Sequence, residues 1–291
     1  MLANTVVASR DARAAPRRVA SGAVHRHVAF AGDSADGLRI DRLHRPAPFN
    51  MIPKVFHQVW INRVDPRLPD EFVAYRDTWL EHHPGWEYRL WNLENLDFRC
   101  VRAELLPQCI SYSELSDILR FELLYHHGGV YLDTDFECFK PIDELIAGLR
   151  TFACSENGMV VSPGLMGAER GSDIMRRLVY GLPKTLGNAP PNVETGPGYV
   201  TSTILSGGFG GDFALLPSKL FYPYAMGEAR VTAANCGEAY AAHHWAHSWA
   251  DPKQRSLIRR VRNKLFGRPR PQPFDWVRET AAVRAAASSA A

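Results

Sequence analysis

The chain has 291 residues, 46% of them hydrophobic and 22% charged, with a formal net charge of +3. That length holds one large α/β domain or two small ones with a full core; the composition is that of a globular protein; the charge is too small for a field that would gather nucleic acid, so no nucleic-acid partner is expected. Five cysteines without metal-type spacing read as mostly buried free thiols in a reducing compartment, and no apolar run reaches the ~18 residues of a transmembrane helix.

Residues 1–49 are rich in Ala, Arg, Val and His and show no regular apolar period. Arg10 interrupts the apolar core that a secretory signal needs, and Asp11, Asp33, Asp36 and Asp41 oppose a transit peptide. The segment reads as a disordered or loosely packed leader. A domain over 50–250 begins near Met51. Residues 52–61 have strand-like apolar and aromatic content. Pro69-Asp70 opens a helix with Phe72, Tyr75, Trp79 and Leu80 at helical spacing, closed by Pro84-Gly85. Residues 86–91 read as a second strand, and Asn92 as the cap of a short helix. Such a β-α-β unit opens a sheet whose ligands collect at the carboxyl ends of its strands.

Residues 111–140 are the most informative stretch. Ser111 with Glu114 makes a capping box, and Leu115, Ile118, Leu119, Leu123 and Leu124 give the helix a buried face. Gly128-Gly129 ends it. Val130, Tyr131 and Leu132 form a short buried strand that runs into Asp133-Thr134-Asp135. Two carboxylates at i and i+2 after a buried strand repel each other and lose hydration. A divalent cation removes that conflict, and hard oxygen ligands suit magnesium or manganese. His126 and His127 read as surface residues at the helix end.

Residues 136–139 then read as an edge strand, 142–149 as a helix, and 152–154 as a strand. Glu156 and Asn157 begin a glycine-punctuated loop that continues through residues 164–167. Ser172 caps a helix through Leu182. Glu194-Thr195-Gly196-Pro197-Gly198 leads into a helix over 199–205, and a Gly-Pro turn there presents free N–H groups that suit anions or hydroxyls. Residues 215–224 are extended and turn-rich. Residues 242–249 hold three histidines and two tryptophans. Residues 253–270 hold eight Lys or Arg and no acidic residue, with Leu257, Ile258, Val261 and Leu265 on one helical face. Such a basic amphipathic helix, assigned to 251–280, either lies on an anionic membrane surface or packs on the domain by its apolar face. The tail over 281–291 reads as disordered.

Three of these blocks carry a family resemblance. Ser116-Asp117-Ile118-Leu119-Arg120, Gly128-Gly129, Tyr131 and Asp133-Thr134-Asp135 resemble the signature of the DXD-containing sugar transferases, the glycosyltransferase family 32-like group of Och1-like mannosyltransferases, α-1,4-galactosyltransferases and bacterial capsular polysaccharide enzymes. The first strand, with Ile52-Pro53-Lys54, His57-Gln58 and Trp60, the Thr195-Gly196-Pro197 turn and the late His244-Trp245 with Ser248-Trp249 are similar to further family segments. The resemblance implies an α/β fold of GT-A type, a single domain whose mixed central sheet is flanked by helices. It implies Trp60 at the base pocket with His57 and Gln58 nearby, Asp117 accepting from ribose hydroxyls, Arg120 beside the nucleotide or donor sugar, and Tyr131 facing the donor. It implies Mn2+ or Mg2+ on Asp133 and Asp135, Asp135 being the stronger candidate, with His244 as a further metal ligand, Ser248 near the metal and Trp249 on the donor phosphates. His247 lies outside the family pattern and leaves the third ligand open among His244, His247 and Ser248. Asn157 is the acceptor-side candidate.

The implied reaction moves a hexosyl group from a UDP- or GDP-linked sugar to a hydroxyl of a glycan or lipid-linked acceptor, with retention. The implied setting is the cytoplasm, with a peripheral position on the inner face of a membrane. Two other readings stand beside it. One is a non-catalytic carbohydrate- or membrane-binding protein on the same fold. The other is a HAD-type phosphatase, which expects Thr or Val where Glu137 stands.

Overall fold

Short apolar runs broken by Gly and Pro give this chain its strands, and longer periodic runs its helices. The computed structural model describes residues 51–62, 65–207 and 213–246, all within the unit Ile40–Ala291. In order these are β1 (Val55–Val59), α1 (Asp70–His82), β2 (Glu87–Trp91), α2 (Tyr112–His127), β3 (Gly129–Leu132), β4 (Phe136–Cys138), α3 (Asp143–Ile146), β5 (Thr151–Ser155), β6 (Val161–Ala168), α4 (Asp173–Tyr180), α5 (Pro191–Glu194), α6 (Pro197–Gly207), β7 (Phe213–Leu216) and β8 (Ala241–His243).

Six strands form one mixed sheet in the order β2-β1-β3-β6-β5-β7. β1 is parallel to β2 and β3, β6 is antiparallel to both β3 and β5, and β7 is parallel to β5. The two-residue alternation of a strand sends its side chains to both faces, and both faces are covered. Val130 and Leu132 join Phe56, Phe152, Cys154 and Leu165 in a cluster with Trp79 of α1 and Ile146 of α3. Tyr131, Ala153, Met166 and Ala168 face the other way, into a cluster with α2, α4 and α6. β4 and β8 stand apart as a two-stranded antiparallel ribbon.

The junction from α2 to β3 has no loop. Ser111 caps α2 by accepting from the Glu114 N–H at 3.1 Å. Glu114 closes the reciprocal half of the box one residue early, on the Ile110 N–H at 2.7 Å. At the far end Gly128 and Gly129 take φ of 69° and 93°. A Cβ at Gly129 would lie 2.6 Å from Val55 Cγ1, so the turn needs glycine both for its backbone and for its closeness to β1.

His57 stitches this junction. The Trp91 indole N–H, a donor only, gives its hydrogen to His57 Nδ1 at 2.9 Å. The proton therefore sits on Nε2, which donates to the Gly128 carbonyl at 2.9 Å. His57, which the resemblance sets near the base pocket, is fully buried. Burial pushes its pKa from 6.5 down to about 4, partly opposed by the Gly128 carbonyl and reinforced by His127. Because the folded value is the lower one, this contribution to stability is complete above pH 6.5 and is lost as pH falls towards 4. The loss amounts to about 3 kcal/mol at the acid end. Urea unfolding between pH 7.5 and 4.5 should show that slope in the native chain and a flatter one in His57→Gln; equal slopes would refute the assignment.

Several expectations shift. The short helix after Asn92 does not form; the Asn92 side chain instead accepts from the N–H groups of Glu94 and Asn95 at 2.8 and 3.2 Å, a local turn that competes with helix. The helix expected over 142–149 is one turn, Asp143–Ile146. The expected loop through residues 164–167 is the eight-residue buried strand β6. The five cysteines are free thiols, four of them buried. The leader 1–49, the basic helix of 251–280 and the tail lie outside the described residues.

Candidate active site

The carboxyl end of β3 delivers Asp133 and Asp135, and the neighbouring strands fix where they stand. The Asp133 N–H donates to the Gly164 carbonyl at 2.8 Å. The Asp133 carbonyl accepts from Phe136 N–H at 3.2 Å and from Gln58 Nε2 at 3.3 Å. Gln58 is itself held by the Tyr88 hydroxyl at 2.7 Å. A Cβ at Gly164 would lie 2.7 Å from Asp133 Oδ2 and 3.0 Å from the Tyr222 hydroxyl oxygen, so glycine at this point of β6 makes room for the carboxylate.

Three side chains converge there. Asp135 Oδ1 lies 3.0 Å from His243 Nε2, and Asp133 Oδ2 lies 4.0 Å from the same nitrogen. One ligand atom from each of Asp133, Asp135 and His243 falls within 4.8 Å of the others. Burial works to raise the Asp135 pKa, but the His243 ring and the Ala246 N–H, 2.8 Å from Oδ2, outweigh it and hold the carboxyl below its usual range. Burial works to lower His243, and the Asp135 carboxylate reverses that and raises it. Two carboxylates and one imidazole fit Mn2+ well and Mg2+ through the oxygens alone. Such a cation would take over the charge balance that His243 supplies here.

The histidine brought to the aspartates is His243, not the expected His244. β8 pairs antiparallel with β4 in the register Phe136↔His243, and successive residues of a strand point to opposite faces. His244 therefore turns away, with Nε2 at 2.8 Å from Glu137 Oε2 and Nδ1 at 2.7 Å from the Tyr224 hydroxyl. A carboxylate only accepts, so Nε2 carries the proton and Nδ1 accepts from Tyr224. Neither nitrogen is left for a metal. His247, Ser248 and Trp249 lie outside the described residues.

Asp117 and Arg120 do meet the aspartates. Arg120 Nη2 lies 3.2 Å from Asp117 Oδ1 and 3.2 Å from Asp133 Oδ1. The guanidinium also lies over the Tyr131 ring, 4.7 Å from its centroid, a cation–π contact. Tyr131 donates its hydroxyl to Asp133 Oδ1 at 2.9 Å. Thr195, from the Thr-Gly-Pro turn, donates to Asp117 Oδ2 at 3.1 Å. Burial pushes the Asp117 carboxyl up to about 6, with Asp133 adding to the rise and Arg120 and Thr195 opposing it.

Trp60 follows β1, edge-on to Phe72 with ring centroids 5.5 Å apart. It lines a cleft of about 340 Å³ with Asn62, Asp65, Arg67, Leu68, Pro69 and Asp70. Its buried Nε1 has no hydrogen-bond partner among the described residues. Asn157 is exposed, and its side-chain oxygen accepts from Met159 and Val160 N–H at 3.0 and 3.1 Å. It folds its own loop and meets none of the site carboxylates in a described contact. Its neighbour Glu156 is one of the carboxylates whose charge reaches His243 and Tyr222, after Asp133 in both cases. Burial raises the Glu156 pKa and His243 opposes the rise.

Parts of the chain are similar to known proteins. Residues 69–151 match the family described as the glycosyltransferase sugar-binding region containing DXD motif. Inositol phosphoceramide mannosyltransferase 3 of Schizosaccharomyces pombe is 29% identical over 167 residues, 53% of this chain and 45% of the relative. An uncharacterized glycosyltransferase of Acanthamoeba polyphaga mimivirus is 25% identical over 214 residues, 69% of this chain and 84% of the relative. Among solved structures, PaToxG glycosyltransferase aligns over 53% of this chain and 68% of its own with a TM-score of 0.39 and 15% identity. A mixed sheet lies between helices with Asp-Thr-Asp at a strand's carboxyl end, and the stretch over 69–151 that carries it is similar to the DXD-containing sugar-binding region of glycosyltransferases. Mannosyltransferases of fission yeast are among the proteins the chain is similar to, and it spans 45% of the length of the one just described.

Proposed function

We propose that the protein is a metal-dependent hexosyltransferase. It would take its sugar from a UDP- or GDP-linked donor and pass it, with retention, to a hydroxyl of a glycan or lipid-linked acceptor. The observation that supports this most is the convergence of Asp133, Asp135 and His243 at the end of β3. Asp133 and Asp135 would hold Mn2+ or Mg2+ together with His243. A bound cation of this kind neutralises the charge that develops on a departing nucleoside diphosphate.

The chain's own residues supply the rest. Arg120 and Tyr131 fix one oxygen of Asp133 and leave the other turned to His243. Asp117, oriented by Thr195, is an acceptor suited to ribose hydroxyls. Trp60 offers a ring face for the base, worth roughly 1–3 kcal/mol of stacking, at the edge of the cleft it lines. The name of the fission-yeast relative, an inositol phosphoceramide mannosyltransferase, makes mannose the first sugar to test and a lipid-linked acceptor the first acceptor. No helix among the described residues is long and apolar enough to cross a membrane. Contact with an anionic inner membrane face through 253–270 belongs to the same reading.

Thermal unfolding with UDP- and GDP-sugars tests it. One donor with Mn2+ should raise Tm by roughly 5–10 °C at about a hundred times its Kd, and much less without the metal. A folded protein that no donor stabilises would count against donor binding.

A further inference from the structure

The segment after β8 contributes more than His243. Asp135 is gripped from both sides of Trp245: the His244 N–H donates to its backbone carbonyl at 2.9 Å, and the Ala246 N–H donates to its carboxylate Oδ2 at 2.8 Å. For both to reach Asp135 the chain must reverse at Trp245, which takes φ of 54°, the one positive value among the described non-glycine residues. A bulky side chain avoids that region unless its surroundings hold it there. The Trp245 ring packs edge-on against His243, with centroids 4.5 Å apart.

Tyr224 is the residue that holds the turn. Its hydroxyl donates to His244 Nδ1 at 2.7 Å and its carbonyl accepts from Trp245 Nε1 at 3.1 Å. His244 is clamped on its other side by Glu137 at 2.8 Å and lies 4.6 Å from the Tyr75 ring of α1. Glu137 sits on β4, two residues past Asp135, so the clamp ties the turn back to the strand that carries the site.

We propose that Tyr224, His244 and Glu137 form a brace that keeps Trp245 in its left-handed turn and so presets the Asp135 carboxylate and the His243 ring for a divalent cation. These are positioning residues, and the inference rests on reading Asp133, Asp135 and His243 as the metal site. Without the brace Trp245 relaxes to negative φ, the Ala246 N–H leaves Asp135, and the carboxylate is free to rotate.

The test measures Mn2+ affinity of the full chain from the EPR signal of free Mn2+, with urea midpoints alongside. Tyr224→Phe removes only the hydroxyl and should weaken Mn2+ binding about tenfold, the loss usual when the support of a ligand is removed, at a nearly unchanged urea midpoint. Glu137→Leu should behave alike. Glu137→Gln keeps an acceptor for His244 Nε2 and should bind Mn2+ as the native chain does. If Tyr224→Phe does not fold, the two Glu137 variants decide. Native affinity in both Tyr224→Phe and Glu137→Leu overturns the brace while leaving the metal site standing. A native chain that binds no Mn2+ overturns the metal reading, and the brace with it.

Discussion

Asp135→Asn should lower the proposed metal-dependent transfer at least about a hundredfold in kcat/KM, roughly 3 kcal/mol of transition-state stabilisation. The reason lies in what each oxygen of Asp135 does. Oδ1 faces His243 Nε2 at 3.0 Å and Oδ2 accepts from Ala246 N–H at 2.8 Å. An amide keeps one acceptor. Satisfying Ala246 turns its NH2 group towards His243, and a donor then stands where a cation needs an oxygen. The charge that offsets a divalent ion is lost as well. Transfer from labelled donor, measured across a Mn2+ titration, reads the effect directly. Native turnover in this variant would remove Asp135 from the proposed site.

Arg120→Met destabilises the fold by about 3–5 kcal/mol, the cost of leaving one member of a buried ion pair without the other. That corresponds to a Tm lower by roughly 10 °C. The side chains of Arg120 and Asp117 are 5% and 8% exposed, so water does not replace the lost partner of Asp117. Asp133, at 26%, keeps part of its hydration. Adding Asp117→Leu removes the stranded carboxylate, and apolar replacement of both members of a buried pair is often neutral. The Thr195 hydroxyl then retains the Pro191 carbonyl at 3.2 Å. Calorimetry should therefore show the double variant recovering most of the lost Tm while donor binding stays lost. A double variant no more stable than Arg120→Met would mean that burial of Asp117 is not the source of the cost.

The contrast between what the sequence discloses and what it hides follows the range of each signal. The cap at Ser111, the helix face of α2, the Gly128-Gly129 stop and the buried strand β3 are encoded within a few residues of where they act, and they form as read. The neighbourhood of Asp117, Arg120, Tyr131 and Asp133 comes with them, because one helix and the strand after it carry all four. β6 is hidden because glycine suggests a loop, whereas here it answers to neighbours distant in sequence. A Cβ at Gly164 would meet the Asp133 carboxylate, and one at Gly167 would lie 2.1 Å from Phe152 Cε1. His243 is hidden for a related reason. Which of two adjacent histidines faces the aspartates depends on the register of β8 on β4, and no local feature fixes a register. For Asn157 the residue type fits a sugar contact as well as it fits a turn, and its side-chain oxygen is engaged in the turn.

The grip on Asp135 also bears on the order in which the protein can mature. The Ala246 N–H and the carboxylate it holds are 111 positions apart. At ordinary translation rates the two aspartates precede their clasp by roughly 6–20 s. Until then a nascent chain displays a repelling acidic pair with no imidazole to balance it. The three-sided arrangement of Asp133, Asp135 and His243 is therefore complete only once β8 has been made, and a chain ending before β8 would keep the two carboxylates without the imidazole.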